Sequence, residues 1–278
     1  MPAVLRISIV CYASNKYELR RTLISLLKAC SRAQDDGYLR LAFIALVDNG
    51  PKHSERKKID LLLQDCRSLA PSTMHFSVLG DGANIGFGAG HNLTFDAAAC
   101  DLHLVLNPDV ELAQDALSIA LQFMQSNPEC GVLAPAVVNL SGEREYLCKR
   151  YPTLFDLFLR GFAPHWLRQK NVKQLAHYEL RDMPANAVYW DPPIISGCFM
   201  LLRAEALKQV GSFDPNYFLY FEDFDLSLRL AEVSRIAYVP MVKIMHSGGN
   251  AARKGWRHVW LFSRSAFTFF NKHGWKWR

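Results

Sequence analysis

The feature that most constrains this chain is an alternation of short apolar runs with amphipathic stretches, punctuated by turn residues. Residues 4–11 (VLRISIVC) read as a buried strand, being short and rich in β-branched residues. Over 17–30, Leu19, Leu23, Leu26, Leu27 and Cys30 share one helical face, while Arg20, Arg21 and Lys28 take the others. Residues 41–47 predict a second strand, stopped by Asp48-Asn49-Gly50-Pro51. A helix over 59–69 and a third strand over 75–79 follow, then a glycine-rich loop over 80–90 and a helix over 91–99. Residues 102–106 predict a fourth strand ending at Asn107-Pro108-Asp109, with a helix over 112–125 and an extended segment over 131–138. Elements alternating at these lengths bury themselves as an α/β fold, a mostly parallel central sheet flanked by helices. Ligands of such sheets bind beyond the carboxyl ends of the strands. Asp48, the glycine loop and Asp109 all stand at such ends.

The second half changes character. Residues 151–190 mix aromatics, prolines and charges around a helix near 155–160, and read as an inserted, substrate-facing segment. A strand over 194–202 carries Ser196-Gly197-Cys198. Helices over 204–210 and 222–232 and a strand over 236–239 that feeds 241–246 complete the pattern.

The 278 residues are half hydrophobic and 21% charged, which excludes a disordered chain. The net charge of +6 favours anionic partners, and basic residues concentrate over 253–278. No recognised nucleic-acid module accompanies that charge. None of the seven cysteines stands at CxxC spacing, so they read as reduced core residues rather than a zinc or thioredoxin-type site. No signal peptide is evident, and no apolar run approaches the roughly 20 residues that span a bilayer. The expectation is a cytoplasmic protein, at most peripheral on the inner face of the membrane.

Five places could carry chemistry. Asp109 follows a buried strand directly, where a hard cation and a diphosphate could meet, although Asn-Pro-Asp also makes an ordinary turn. Asp48 poses the same choice. The loop Asn84-Ile85-Gly86-Phe87-Gly88-Ala89-Gly90-His91-Asn92 lets backbone approach a ligand, yet it matches neither a dinucleotide fingerprint nor a P-loop. In 213–229 (FDPNYFLYFEDFDLSLR), Glu222, Asp223 and Asp225 open a helix among aromatics, where a carboxylate could act as a general base. His246, before Ser247-Gly248-Gly249, is a candidate metal ligand.

Taken in order, VDNG (47–50), NIGFGAGHN (84–92), LNPDV (106–110), SGCFMLLR (196–203), VGSFDPNYFLYFEDFDLSLR (210–229) and HSGG (246–249) resemble the family 2 glycosyltransferases of GT-A fold, in particular their bacterial rhamnosyltransferase-like branch. That resemblance implies a metal-dependent inverting transferase using Mn2+ or Mg2+. It implies nucleotide binding by Tyr12, Asp48, Asn84, Gly86 and Asn107, and metal binding by Asp109 and His246. Asp223 would be the base with Glu222 beside it, and Trp190, Ser196, Gly197 and Tyr220 would border the donor and acceptor. The donor would be a dTDP- or UDP-sugar, with dTDP-rhamnose favoured, and the acceptor a saccharide or lipid-linked saccharide of cell-surface polysaccharide synthesis. The segment lacks the first carboxylate of the family's DxD motif, having Asn107 there. The expected organisation is a catalytic domain over 1–250, with a nucleotide-binding half over 1–110 and an acceptor half over 111–250, and a basic aromatic helix over 251–278. That helix could close the catalytic domain, touch the membrane, or both. The competing readings are a sugar-1-phosphate nucleotidyltransferase, which would need a basic glycine loop near the first strand, and a non-catalytic nucleotide-sugar or carbohydrate-binding subunit.

Overall fold

The computed structural model describes residues 1–50, 53–96, 99–248 and 255–277. The first half runs β1 (Ala3–Cys11), α1 (Lys16–Asp35), β2 (Leu39–Asp48), α2 (His53–Leu69), β3 (Met74–Leu79), α3 (Phe87–Asn92) and β4 (Leu102–Leu106). There follow β5 (Val110–Leu112), α4 (Ala116–Ser126), β6 (Cys130–Val138), β7 (Arg144–Glu145), β8 (Cys148–Lys149), α5 (Leu154–Gly161), α6 (His165–Lys170) and α7 (Val172–Tyr178). The chain closes with β9 (Tyr189–Trp190), β10 (Ile194–Ile195), β11 (Phe199–Arg203), α8 (Ala204–Gln209), α9 (Glu222–Ala231), β12 (Arg235–His246) and α10 (Trp256–His273).

One sheet carries the order β3-β2-β1-β4-β11-β6-β12-β5, with β7 on β6 and β9 on β12. β1 lies parallel to β2 and β4, β2 to β3, and β6 to β12. β11 inserts antiparallel between β4 and β6. The inward residues Leu5, Ile7 and Ile9 of β1 and Leu104 and Leu106 of β4 are fully buried, as expected of strands covered on both faces. The seven cysteines are buried and unpaired.

Three differences from the sequence reading bear on the site. The helix expected over 91–99 starts earlier and is shorter, because Gly88 and Gly90 are buried where α3 lies against Phe213 and Val10; residues 97–98 lie outside the described ones. The helix expected over 112–125 starts only at Ala116, because Leu112 pairs with Ile244 of β12 as the end of β5. The single strand expected over 194–202 is broken at Ser196-Gly197-Cys198. β10 pairs with β8 in a small separate sheet, while β11 enters the large one. The division expected at 110/111 falls inside β5, and strands from both sides share the sheet. The boundary at 250/251 lies outside the described residues. Beyond it, α10 packs Ala266, Phe269 and Phe270 into a cluster with Leu157, Tyr217 and Phe221.

Candidate active site

The carboxyl ends of β1, β2 and β4 meet around the glycine loop. Asp48 ends β2 buried; its Oδ1 accepts from the Gly50 amide (3.3 Å), and its carbonyl accepts from Gly82 (3.2 Å). Asn49 ties the loop down. Its Nδ2 donates to Asn84 Oδ1 and to the Gly86 carbonyl, both at 3.1 Å, and its Oδ1 accepts from the Ile85 amide at 2.9 Å. Gly86 sits at φ 98°, and a Cβ there would stand 2.5 Å from the Phe218 carbonyl, so only glycine permits this docking. Tyr12, Asn49, Asn84, Gly86, Asn107 and Asp109 border the resulting cavity of about 300 Å³. Arg257, His258 and Leu261 of α10 form part of its wall.

A second cavity of about 920 Å³ lies beyond, and Asn107 and Asp109 line both. Its other walls are charged, including Glu145, Lys149, Arg160, Arg181 and His246, with Ser196 among them. The β5–β12 pairing sets Val110 opposite His246, which brings residues distant in sequence to one spot. His246 Nε2 lies 3.4 Å from Asp109 Oδ1, and Nδ1 lies 3.2 Å from Glu145 Oε2. Burial alone would lower the imidazole's pKa, but Asp109, and then Glu145, outweigh it and raise it. Gly248 presses on this pair: a Cβ there would stand 2.4 Å from Asp109 Oδ2 and 2.7 Å from His246 Nε2.

Oδ1 of Asn107 and Oδ1 of Asp109 are buried without a hydrogen-bond partner. Buried acceptors are normally satisfied, and hard divalent cations take oxygen ligands and commonly arrive with phosphate. Among the described residues no three His, Cys, Asp or Glu side chains form a ready cation cage. Asp109 and His246 stand close enough to offer a cation two donors, so such an ion would have to bring most of its ligands with it.

The third component is the start of α9. Tyr220 and Phe221 are successive left-handed residues, at φ 72° and 66°. Such backbone costs about 1–3 kcal/mol per residue and persists only where packing enforces it. The Phe221 ring is held at 5.2 Å from each of Phe224, Phe262 and Phe269. The turn points Asp223 at the break between β10 and β11, where its Oδ2 accepts from the Gly197 amide (2.8 Å) and its Oδ1 from Phe224 (2.9 Å). Burial raises the Asp223 pKa, opposed by these amides and by Lys149. Glu222 is buried with Oε2 unpartnered, and burial, then the Asp223 charge, push its pKa well up. Of the two adjacent carboxyls, both raised by burial, Glu222 is pushed further up.

Asp223 itself lines neither cavity. It stands behind Gly197, whose neighbour Ser196 is in the wall of the larger one. Lys149, in the same wall, donates to the Tyr146 carbonyl (2.9 Å); burial first, then Arg160, lower its pKa to about 7. Tyr220 bonds through its hydroxyl to His258 Nδ1 (3.1 Å), linking the turn before α9 to α10.

Asp48 also lines neither cavity; its neighbour Asn49 does. Trp190 also stands away from both. The sequence reading put it beside donor and acceptor, but its ring packs against Phe123 (5.6 Å) and under the Arg235 guanidinium (4.4 Å), opposite Ala237 of β12, and lines neither cavity. An aromatic at a sheet margin has simply been used to cover α4. Gly249 of the His-Ser-Gly-Gly run and Pro51 of the turn after β2 lie outside the described residues. Sequence reasoning missed Asn49, Glu145, Lys149 and Arg257. Asn49 was visible as a turn asparagine; the others carry no local signal.

The sequence profile described as "Glycosyltransferase like family 2" matches residues 2–272. The N-acetylglucosaminyl-diphospho-decaprenol L-rhamnosyltransferase of Mycobacterium tuberculosis (strain ATCC 25618 / H37Rv) is 29% identical over 217 residues, covering 72% of this chain and 69% of that one. Rhamnosyltransferase WbbL of Escherichia coli (strain K12) is 27% identical over 176 residues, covering 59% and 62%. Among solved structures, GalNAc-T7 with UDP, GalNAc and Mn2+ superposes with a TM-score of 0.61 at 15% identity, over 89% of this chain and 44% of that one. The mannosyltransferase PcManGT from Pyrobaculum calidifontis, in complex with GDP-Man and Mn2+, gives 0.58 at 13% identity, over 99% and 76%. At such identities the structures establish the fold, which is that of the GT-A glycosyltransferases. The profile spans nearly every strand and helix described above, and on that breadth of match the chain belongs to glycosyltransferase family 2.

Proposed function

We propose that this glycosyltransferase moves L-rhamnose from dTDP-rhamnose, with inversion, onto a polyprenyl-diphosphate-linked saccharide during cell-surface polysaccharide synthesis. The observation that carries the reading is the position of Asn107 and Asp109 at the one seam where the two cavities meet. A donor has two ends joined by a diphosphate, and a seam of this kind suits the diphosphate. The choice of rhamnose rests on the names of the two bacterial relatives, and the lipid-linked acceptor on that of the mycobacterial one.

In this reading the smaller cavity takes the nucleoside. Tyr12 offers a half-exposed ring for the base, and Asn84, Gly86 and Asn49 hold the loop that faces it, with Asp48 buried behind Asn49 and bonded to the Gly50 and Gly82 amides. A Mn2+ or Mg2+ ion held by Asp109 and His246 would supply positive charge opposite the leaving diphosphate. Glu145 orients the His246 ring through Nδ1, leaving Nε2 toward Asp109. The acceptor hydroxyl enters through the larger cavity along Ser196 and Gly197. Asp223 takes its proton as the oxygen bonds to the anomeric carbon, while the bond from that carbon to the diphosphate breaks on the opposite face. One displacement inverts the centre. Two amides and the Lys149 charge favour the ionised form of Asp223 against its burial.

A panel of dTDP- and UDP-sugars, each with and without Mn2+, tests the donor by thermal shift. At a ligand concentration of 100 Kd a specific donor stabilises by about 2.7 kcal/mol. Stabilisation by dTDP-rhamnose that needs the metal, followed by dTDP release on adding a lipid-linked saccharide, is the expected result. Metal-independent binding of every nucleotide sugar, with no release, would return the chain to a binding subunit.

A further inference from the structure

Two segments of this chain contain cations and no carboxylates. Residues 157–178 carry Arg160, Arg168, Lys170 and Lys173 and no Asp or Glu. Residues 256–278 carry Arg257, Arg264, Lys272, Lys276 and Arg278, again with no Asp or Glu. These nine cations turn what would be a net −3 over the rest of the chain into +6. The basic surplus is therefore not a property of the whole surface.

The fold brings the two segments together. The Phe162 ring, just after α5, meets Phe262 of α10 at 6.1 Å, and the Leu154 amide donates to the Lys276 carbonyl at 2.9 Å. Asp156, the carboxylate within α5, is buried and satisfied by Thr153 and Gln174. α10 turns Ser265, Ala266, Phe269 and Phe270 inward. Its other face shows Trp256, Trp260 and Phe267, exposed by 86%, 58% and 59%. Around α5 and α6, Phe158, Phe162 and Trp166 are exposed as well. Cations sit on these rings: Arg264 over Trp260 and Lys170 over Trp166, each at 5.6 Å. A water-facing surface gains nothing from so many bare aromatics, whereas a bilayer boundary takes the rings into its apolar edge and the cations among its phosphates. No helix of the described residues is long and apolar enough to cross a membrane, so such a face would rest on one.

We infer that the joined face of α5, α6 and α10 docks on an anionic lipid bilayer. The placement has a consequence for the site. Arg257, His258 and Leu261 of α10 wall the smaller cavity, and Arg160 of α5 walls the larger one. The elements that would rest on lipid also border both cavities, so an acceptor anchored in the bilayer would meet the larger cavity at the membrane surface. That last step rests on the sugar-transfer reading; the docking itself does not.

Co-sedimentation of the full chain with phosphatidylcholine vesicles, with and without phosphatidylglycerol, tests the docking. Binding is expected only with phosphatidylglycerol, and should weaken at high salt. The variants Lys170→Gln and Arg168→Gln should each lose about fivefold in partitioning, and Trp166→Ser and Trp260→Ser should also weaken it. These side chains are exposed, and an unchanged thermal midpoint shows each variant folded. Failure of the full chain to sediment, equal sedimentation with pure phosphatidylcholine, or wild-type partitioning by all four variants would overturn the inference. So would displacement from vesicles by a single-stranded oligonucleotide at lower concentration than by lipid, which would make the face a nucleic-acid surface. The measurement uses neither donor nor acceptor, so its failure leaves the transferase reading untouched.

Discussion

The two cavities share a seam and are built in opposite ways. The smaller is framed by strand ends and a loop whose polar groups satisfy one another, as the three Asn49 hydrogen bonds show. The larger is framed by charged side chains drawn from segments far apart in sequence, such as Glu145, Lys149, Arg181 and His246. Backbone frames hold their shape and suit a ligand part that does not change during reaction. Charged walls suit the place where charge moves. If the comparison is right, damage on the small side should cost binding, and damage on the large side should cost chemistry.

Asp223→Asn puts the greatest strain on that division. Turnover should fall roughly 10²–10⁴-fold, the range of a positioned general base, with donor affinity by calorimetry close to wild type. Near-normal turnover would remove Asp223 from the chemistry. Glu145→Ala sharpens the seam: without its partner at Nδ1, His246 should hold metal about 10–100-fold less tightly, read by metal titration in the presence of nucleotide. An unchanged titration would leave Glu145 as a wall residue only.

Glu222→Gln tests the neutral neighbour through pH. Glu222 has a folded pKa above its ordinary 4.5, so the stability it contributes is present below about that pH and is lost as pH rises through the folded value. Urea unfolding of the wild type should therefore weaken with rising pH by up to about 1.4 kcal/mol per unit from this group, and the Gln variant should lack that slope. Parallel slopes in the two proteins would mean that Glu222 is ionised as folded. The smallest effect is expected from Trp190→Phe, since the ring lies against Phe123 and Arg235 and away from both cavities. A large fall in kcat/KM, with the thermal midpoint unchanged, would bring Trp190 back to the site.

The legibility of the site follows the same division. That Asn84, Gly86 and Asp109 would border one cavity could be anticipated because turn residues after apolar strands mark carboxyl ends, and those ends converge in any such sheet. His246 could be suspected but not placed, since its meeting with Asp109 depends on the β5–β12 register, and the sequence showed no strand over residues 110–112. Glu145 reaches His246 across 101 positions, and no local pattern encodes that contact. Lys149 resembles any lysine in a mixed segment; only burial reveals it. Trp190 was ambiguous for the same reason, because an aromatic in an irregular stretch can line a pocket or cover a helix, and tertiary packing decides.

Gly248 gives the seam an unusual vulnerability. Its missing side chain is the clearance that keeps Asp109 and His246 apart from their own loop. A single methyl at that position would press on Asp109 and His246 together, while the aromatic cluster under α10 would go untouched. One added carbon would therefore have to be met by a shift of the very side chains that define the seam.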